Sequence, residues 1–199
     1  MDLFLQRVYV NEIAGQARFS LNAISALNDS LRHLHSPCQN SDESRFFHAE
    51  VFRQTHSLLT HASNISRLFW PPKAKPHKGE EKCSFADRAS FTEMRGATLR
   101  KLFELEDCNP LKNRTIRDHL EHYDERLDHW SNTSANRNIA SDTIGPPNSI
   151  VGLDPADTMR WFDPTRNALR FRGEEFELQP LATSINQILL QAETIKETL

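Results

Sequence analysis

Between Asn113 and Trp130 the chain reads Asn-Arg-Thr-Ile-Arg-Asp-His-Leu-Glu-His-Tyr-Asp-Glu-Arg-Leu-Asp-His-Trp, and nowhere else do arginine, histidine and carboxylates crowd so closely. Arginine carries a permanently charged fork suited to phosphate or carboxylate oxygens. Histidine is the side chain that exchanges protons near neutral pH. At about 100° per residue, Ile116, Leu120, Tyr123, Leu127 and Trp130 fall within about 60° of one another and form a core stripe. Measured from that stripe, Arg117 and Asp124 lie on one flank at about 80–100°, with His119, His122, Arg126 and His129 at about 220–300°. Arg117 and His122, five residues apart, are predicted to face solvent in a single copy, roughly 140° from each other around the helix. They become a site when something covers the polar face, and a second copy of the chain is the obvious cover.

The run Arg117-Asp118-x-x-x-His122, followed by Tyr123, resembles the motif of the HEPN superfamily. That motif is an arginine, usually followed by Asn, Asp or His, with a histidine after a short spacer on the same helix. The resemblance covers this helix and the helical-bundle organisation, not the hairpin or the C-terminal helix described below. It implies a homodimer in which two such helices form one cleft, RNA as the partner, and metal-independent RNA cleavage in active members, while other members bind without cutting. In that reading Arg117 holds the scissile phosphate and stabilises charge building on it. His122 is general acid or base at the 2′-hydroxyl or leaving oxygen, Asp118 orients one of the two, and Tyr123 supports the site. Arg114-x4-His119 has the same spacing, but Thr115 lacks the amide or charge expected after the arginine.

The same residues also fit a solvated helix face laced with i,i+4 pairs: Arg117–Glu121, Asp118–His122 and, with His122 neutral, His122–Arg126. A non-catalytic helical module that contacts a protein partner is therefore the alternative. A metal-binding bundle enzyme using His119, His122 and His129 is the weaker one, although nine histidines is a high count. Metal sites in bundles draw ligands from several facing helices, and no E-x-x-H pair recurs on two helices here. His48, His56 and His61 do not share one face. No metal and no cofactor is expected, and the six glycines form no phosphate-binding loop.

Net charge is −3, so no global basic field advertises nucleic-acid binding, although a local patch remains open. Four lysines in the segment from Pro71 to Lys82 offer one such patch on what reads as an exposed, mobile loop. Cys38, Cys83 and Cys108 are scattered and form no C-x-x-C pair, which points to a reducing, cytoplasmic setting. The N-terminal residues do not read as a signal peptide, and no apolar run reaches membrane-spanning length, so no membrane association is expected.

The fold class these patterns predict is mainly α: a four-helix bundle with a small C-terminal β-hairpin or three-stranded element and a terminal helix. Ile13, Ala17, Ile24, Leu27, Leu31 and Leu34 predict a helix over about residues 8–35, stopped by Ser36-Pro37. Ser41 or Asp42 is predicted to cap a second helix carrying Phe47, Val51, Leu58, Ala62, Ile65 and Phe69, stopped by Pro71-Pro72. A third, over residues 86–106, is predicted to bury Phe91, Met94, Leu99, Leu102 and Phe103, and the 113–130 helix is the fourth. Residues 1–131 form the bundle in this reading, and 132–149, ending in Gly145-Pro-Pro-Asn, a linker or loop. Residues 150–199 form the hairpin and C-terminal helix packed on the bundle. Met159-Arg-Trp-Phe and Ala168-Leu-Arg-Phe-Arg alternate across Asp163-Pro-Thr-Arg-Asn, a hairpin signal, and Gly173–Leu178 adds a third strand. Trp161, Phe162, Phe171 and Phe176 are expected to pack rather than form a recognition surface. Pro180 opens the last helix, with Leu181, Ile185, Ile188, Leu189, Ala192 and Ile195 on one side. Phe4, Tyr9 and Val10 are expected to seal the bundle or a dimer seam.

Overall fold

Asp2 accepts the Leu5 N–H at 2.8 Å and so starts α1, Leu3–Leu34. The computed structural model describes residues 1–36, 40–147 and 149–199; the expected stop at Pro37, Cys38 and the Asn148 of the linker turn lie outside the described residues. Helix α1 buries Val10, Ile13 and Leu27 together with the small Ala14, Ala17, Ser20 and Ala23, which favour a short distance to its main neighbour. That neighbour is α2, Ser41–Phe69. Asn40 caps it, one residue ahead of Ser41, because only Asn40 has a glutamate three residues on. Its side chain accepts from Glu43 N, and Glu43 reaches back to Asn40 N.

Helix α3, Lys82–Leu102, starts and ends four residues earlier than the sequence predicts. Only its C-terminal half is docked: Gly96, Leu99 and, just beyond its end, Phe103 are buried. Phe91 and Met94, predicted as core, are 36% and 38% exposed. The helix holds on through the end of α2 instead. Arg95 donates to Arg67 O at 3.0 Å and Arg100 to Phe69 O, while Arg114 donates to Trp70 O at 3.1 Å. Three guanidiniums thus meet carbonyls at the negative end of the α2 dipole.

The fourth predicted helix is two. Helix α4, Thr115–Glu121, and α5, Tyr123–Thr133, are separated at His122, whose ψ of 39° leaves the helical range. The halves have different anchors. Ile116 docks α4 onto α2, while Trp130 Nε1 donates to the buried Asp157 carboxylate at 2.9 Å and ties α5 to the sheet region.

Four strands form one sheet in the order β1-β2-β3-β4. Strands β2 (Trp161–Asp163), β3 (Ala168–Phe171) and β4 (Glu174–Glu177) are the antiparallel set the alternation predicts. Arg172 and Gly173, both at positive φ, close the β3–β4 turn as a type I′ hairpin does. Strand β1, Thr143–Ile144, pairs parallel to β2 within the stretch read as linker. Helix α6, Leu178–Thr198, buries Ile185, Ile188 and Ala192 and packs mainly on α1. The protein is mainly α, with six α-helices among the described residues and this small sheet before the terminal one. Trp161, Phe162 and Phe171 are buried, and Phe162 and Phe171 share one core with residues of α1, α2 and α6. Val10 is in that core and Tyr9 packs against it, but Phe4 is 73% exposed. No helix among the described residues is long and apolar enough to cross a membrane.

Candidate functional site

Helix α4 is short, and its position comes from its flanks. Asn113 accepts the Thr115 N–H at 2.9 Å, Arg114 is held on Trp70 O, and Ile116 is buried. This rotation carries Arg117 inward. Its side chain is 7% exposed, not solvent-facing as helix geometry alone predicts. The covering surface comes from distant segments. Arg117 lines a cavity of about 220 Å3 with Leu59, Ala62 and Ser63 of α2, Phe176 of β4 and Leu181 of α6.

Glu121, one turn on, accepts from Arg117 Nη2, and Asp118 lies 3.8 Å from Nη1. Nε and Nη1 are buried without a hydrogen-bond partner, as is the Ser63 hydroxyl. Burial weakens the hold of Arg117 on its proton, and Arg67 and Arg114 act the same way while Asp118 opposes them. An arginine stays charged regardless, so the site contains a buried cation with donors to spare. Arg67 also approaches Glu121, at 3.9 Å.

His122 sits at the helix break, 54% exposed, with Nδ1 3.2 Å from Glu125 Oε1. Asp118 is exposed beside Arg117. Tyr123 turns toward the sheet: its hydroxyl is 3.1 Å from Ser141 Oγ, and the Arg160 guanidinium lies 4.5 Å over its ring. Tyr123 borders a second recess of about 220 Å3 with Phe52, His56, Leu120, Arg160 and Leu169. Desolvation lowers the proton affinity of His56, and the charges of Arg160 and then Arg117 lower it further. Arg117 and Asp118 thus adjoin each other, whereas His122 and Arg117 share neither recess. Ser63, Arg67, His56 and Arg160 were not singled out from sequence as parts of this region. No local pattern marks them, because each arrives from another element.

The second register is structurally occupied. His119 stacks on Phe171 with centroids 5.0 Å apart, and its Nδ1 accepts from Arg126 Nε at 3.1 Å. That acceptance places the ring proton on Nε2, 3.6 Å from Glu174. His119, His122 and His129 therefore do not converge, and among the described residues no three His, Cys, Asp or Glu side chains cluster as metal ligands. The lysine-bearing segment after α2 is clasped by Arg88, which pairs with Glu80 at 2.8 Å and donates to Lys75 O at 2.8 Å.

Compared with protein-family models, curated proteins and solved structures, the chain matches none.

Proposed function

We propose that this chain is a HEPN-like RNA-binding protein in which Arg117 receives a backbone phosphate, and that cleavage requires a second copy to bring a His122 to that phosphate. The observation that carries the reading is the Arg117 guanidinium, buried and charged, paired with Glu121 through Nη2 and with no hydrogen-bond partner at Nε or Nη1. A phosphate oxygen supplies what those hydrogens lack. Arg67 and Arg114 add positive charge nearby, against Glu121 and Asp118. Within one copy His122 points elsewhere. Its Nδ1 faces Glu125, which leaves Nε2 as the nitrogen for proton transfer to a substrate held by the partner copy.

The test is binding of single-stranded RNA across a salt series, with cleavage followed in excess EDTA. Wild type binds with an affinity that falls as salt rises. Arg117→Gln loses binding at least tenfold, and His122→Ala binds but does not cut. No RNA binding at low salt, or equal binding by Arg117→Gln, refutes the proposal.

A second reading, a protein-interaction module, is favoured by apolar residues at the start of α1. Phe4 and Val8, one turn apart, are 73% and 46% exposed, and the Met1 amine lies 3.7 Å from Met94 of α3, itself partly exposed. Under that reading, aspartate at Phe4 and Met94 abolishes association with a partner and leaves RNA retention unchanged.

A further inference from the structure

The wall of the cavity beside Arg117 is mixed: Leu59, Ala62, Phe176 and Leu181 give it an apolar side, and Ser63, Arg114 and Arg117 are among its polar residues. A site that only had to touch a polyanion from solvent would not need this recess behind it. At an interior packing density near 0.75, about 220 Å3 holds roughly ten non-hydrogen atoms.

Arg114 and Arg117 put positive charge at one end of the recess, with Glu121 and Asp118 set against Arg117 from the helix side. Glu175 and Glu177 also line it, but Glu175 is taken by Arg166 at 2.6 Å and by Arg170, and Glu177 by Arg166 at 3.6 Å. Arg114, a further lining residue, is engaged by the Trp70 carbonyl but keeps its charge. Arg117 Nε and Nη1 and Ser63 Oγ are the buried atoms of the lining residues that lack acceptors.

We propose that this cavity binds a small organic acid, a monocarboxylate on an apolar body of aromatic or medium-chain size, with the carboxylate on Arg117 and Ser63 and the body against Phe176, Leu181 and Leu59. Such an acid occupies the donors that the RNA reading assigns to a phosphate, so it competes with RNA where RNA binds. The binding itself does not depend on that reading.

The experiment is calorimetric or NMR titration of the full chain, without RNA, using benzoate and hexanoate. Benzamide is the neutral isostere and inorganic phosphate the anion without a body. Benzoate is expected to bind with a Kd of about 1 mM or tighter. Benzamide and phosphate are each expected to be at least about tenfold weaker, one for want of a charge-assisted hydrogen bond and the other for want of apolar contact. Arg117→Gln brings benzoate and benzamide within about twofold of each other. Leu181→Trp, a change at a partly exposed rim residue, fills the cavity and removes benzoate binding while helix content by circular dichroism is kept. Equal affinity for benzoate and benzamide, equal affinity for phosphate, unchanged binding in Leu181→Trp, or no binding by about 10 mM benzoate each overturns the proposal. Benzoate binding without RNA binding leaves it standing and removes the RNA reading. RNA binding without benzoate binding does the reverse.

Discussion

Alanine at Gly96 places a methyl carbon 2.6 Å from Pro71 Cδ, 3.1 Å from Pro71 Cγ and 2.8 Å from the Phe69 carbonyl oxygen. Carbon atoms in ordinary contact sit about 3.5–4.0 Å apart, so the overlap is about 1 Å. Neither neighbour yields cheaply: the proline ring is rigid, and the Phe69 carbonyl is backbone already accepting from Arg100. Helix α3 must move outward, which strains the Arg100 bond and loosens Leu99 and Phe103. Overpacking costs about 1–3 kcal/mol, and losing the hydrogen bond costs about 1 kcal/mol. Replacing a helix-interior glycine returns about 1 kcal/mol, so the net loss is about 1–3 kcal/mol. Gly15, in the middle of α1, is the internal control, because a Cβ there meets nothing within 4 Å. Alanine at Gly15 gains about 1 kcal/mol. Urea unfolding followed by circular dichroism reads both. With a slope of about 2 kcal/mol per molar urea, the midpoint falls by about 0.5–1.5 M for Gly96→Ala and rises by about 0.5 M for Gly15→Ala. A Gly96→Ala protein as stable as wild type would refute the close packing of α3 on the end of α2.

Three further outcomes are expected. Desolvation lowers the proton affinity of His56 and His61, and Arg160 and Arg117 add to this at His56. Below the unfolded value near 6.5 the unfolded chain therefore binds more protons than the native one, and this contribution to stability declines as pH falls. Urea midpoints at pH 7 and pH 5.5 should differ less in a His56→Gln/His61→Gln protein than in wild type; an equal or larger difference contradicts the assignment. Glu80 is held at about 2 by its hydrogen bonds with Arg88 and the His77 amide. Carbon-13 titration of its carboxyl should show that value, moving toward 4.5 in Arg88→Gln. Trp130→Phe removes the donor to Asp157, which is 3% exposed, and loses about 1–3 kcal/mol. An unchanged melting temperature would mean that this bond does not anchor α5.

Much of the architecture is local information. The stripes Ile13–Ala17–Leu27, Val51–Leu58–Ala62–Ile65–Phe69 and Ile185–Ile188–Ala192 mark buried helix faces because 3.6-residue periodicity is written within contiguous residues. The alternation around Trp161 and Leu169 marks a hairpin for the same reason, with a period of two. Strand β1 escaped such reading because a two-residue parallel pair carries no periodicity, and its partner lies 18 residues on. Phe91 and Met94 look like core by type, yet nothing within α3 says that only the face of Gly96, Leu99 and Phe103 meets another element.

In the candidate site, the resemblance to the HEPN motif is what singles out Arg117, Asp118, His122 and Tyr123 on one stretch of chain. Tertiary structure alone turned Arg117 into a buried cation, broke the helix at His122 and drew Tyr123 under Arg160. Periodicity relates a residue to its own helix axis. Burial and hydrogen-bond satisfaction depend on what the rest of the chain places opposite it, and here α2, β4 and α6, far apart in sequence, supply that surface together.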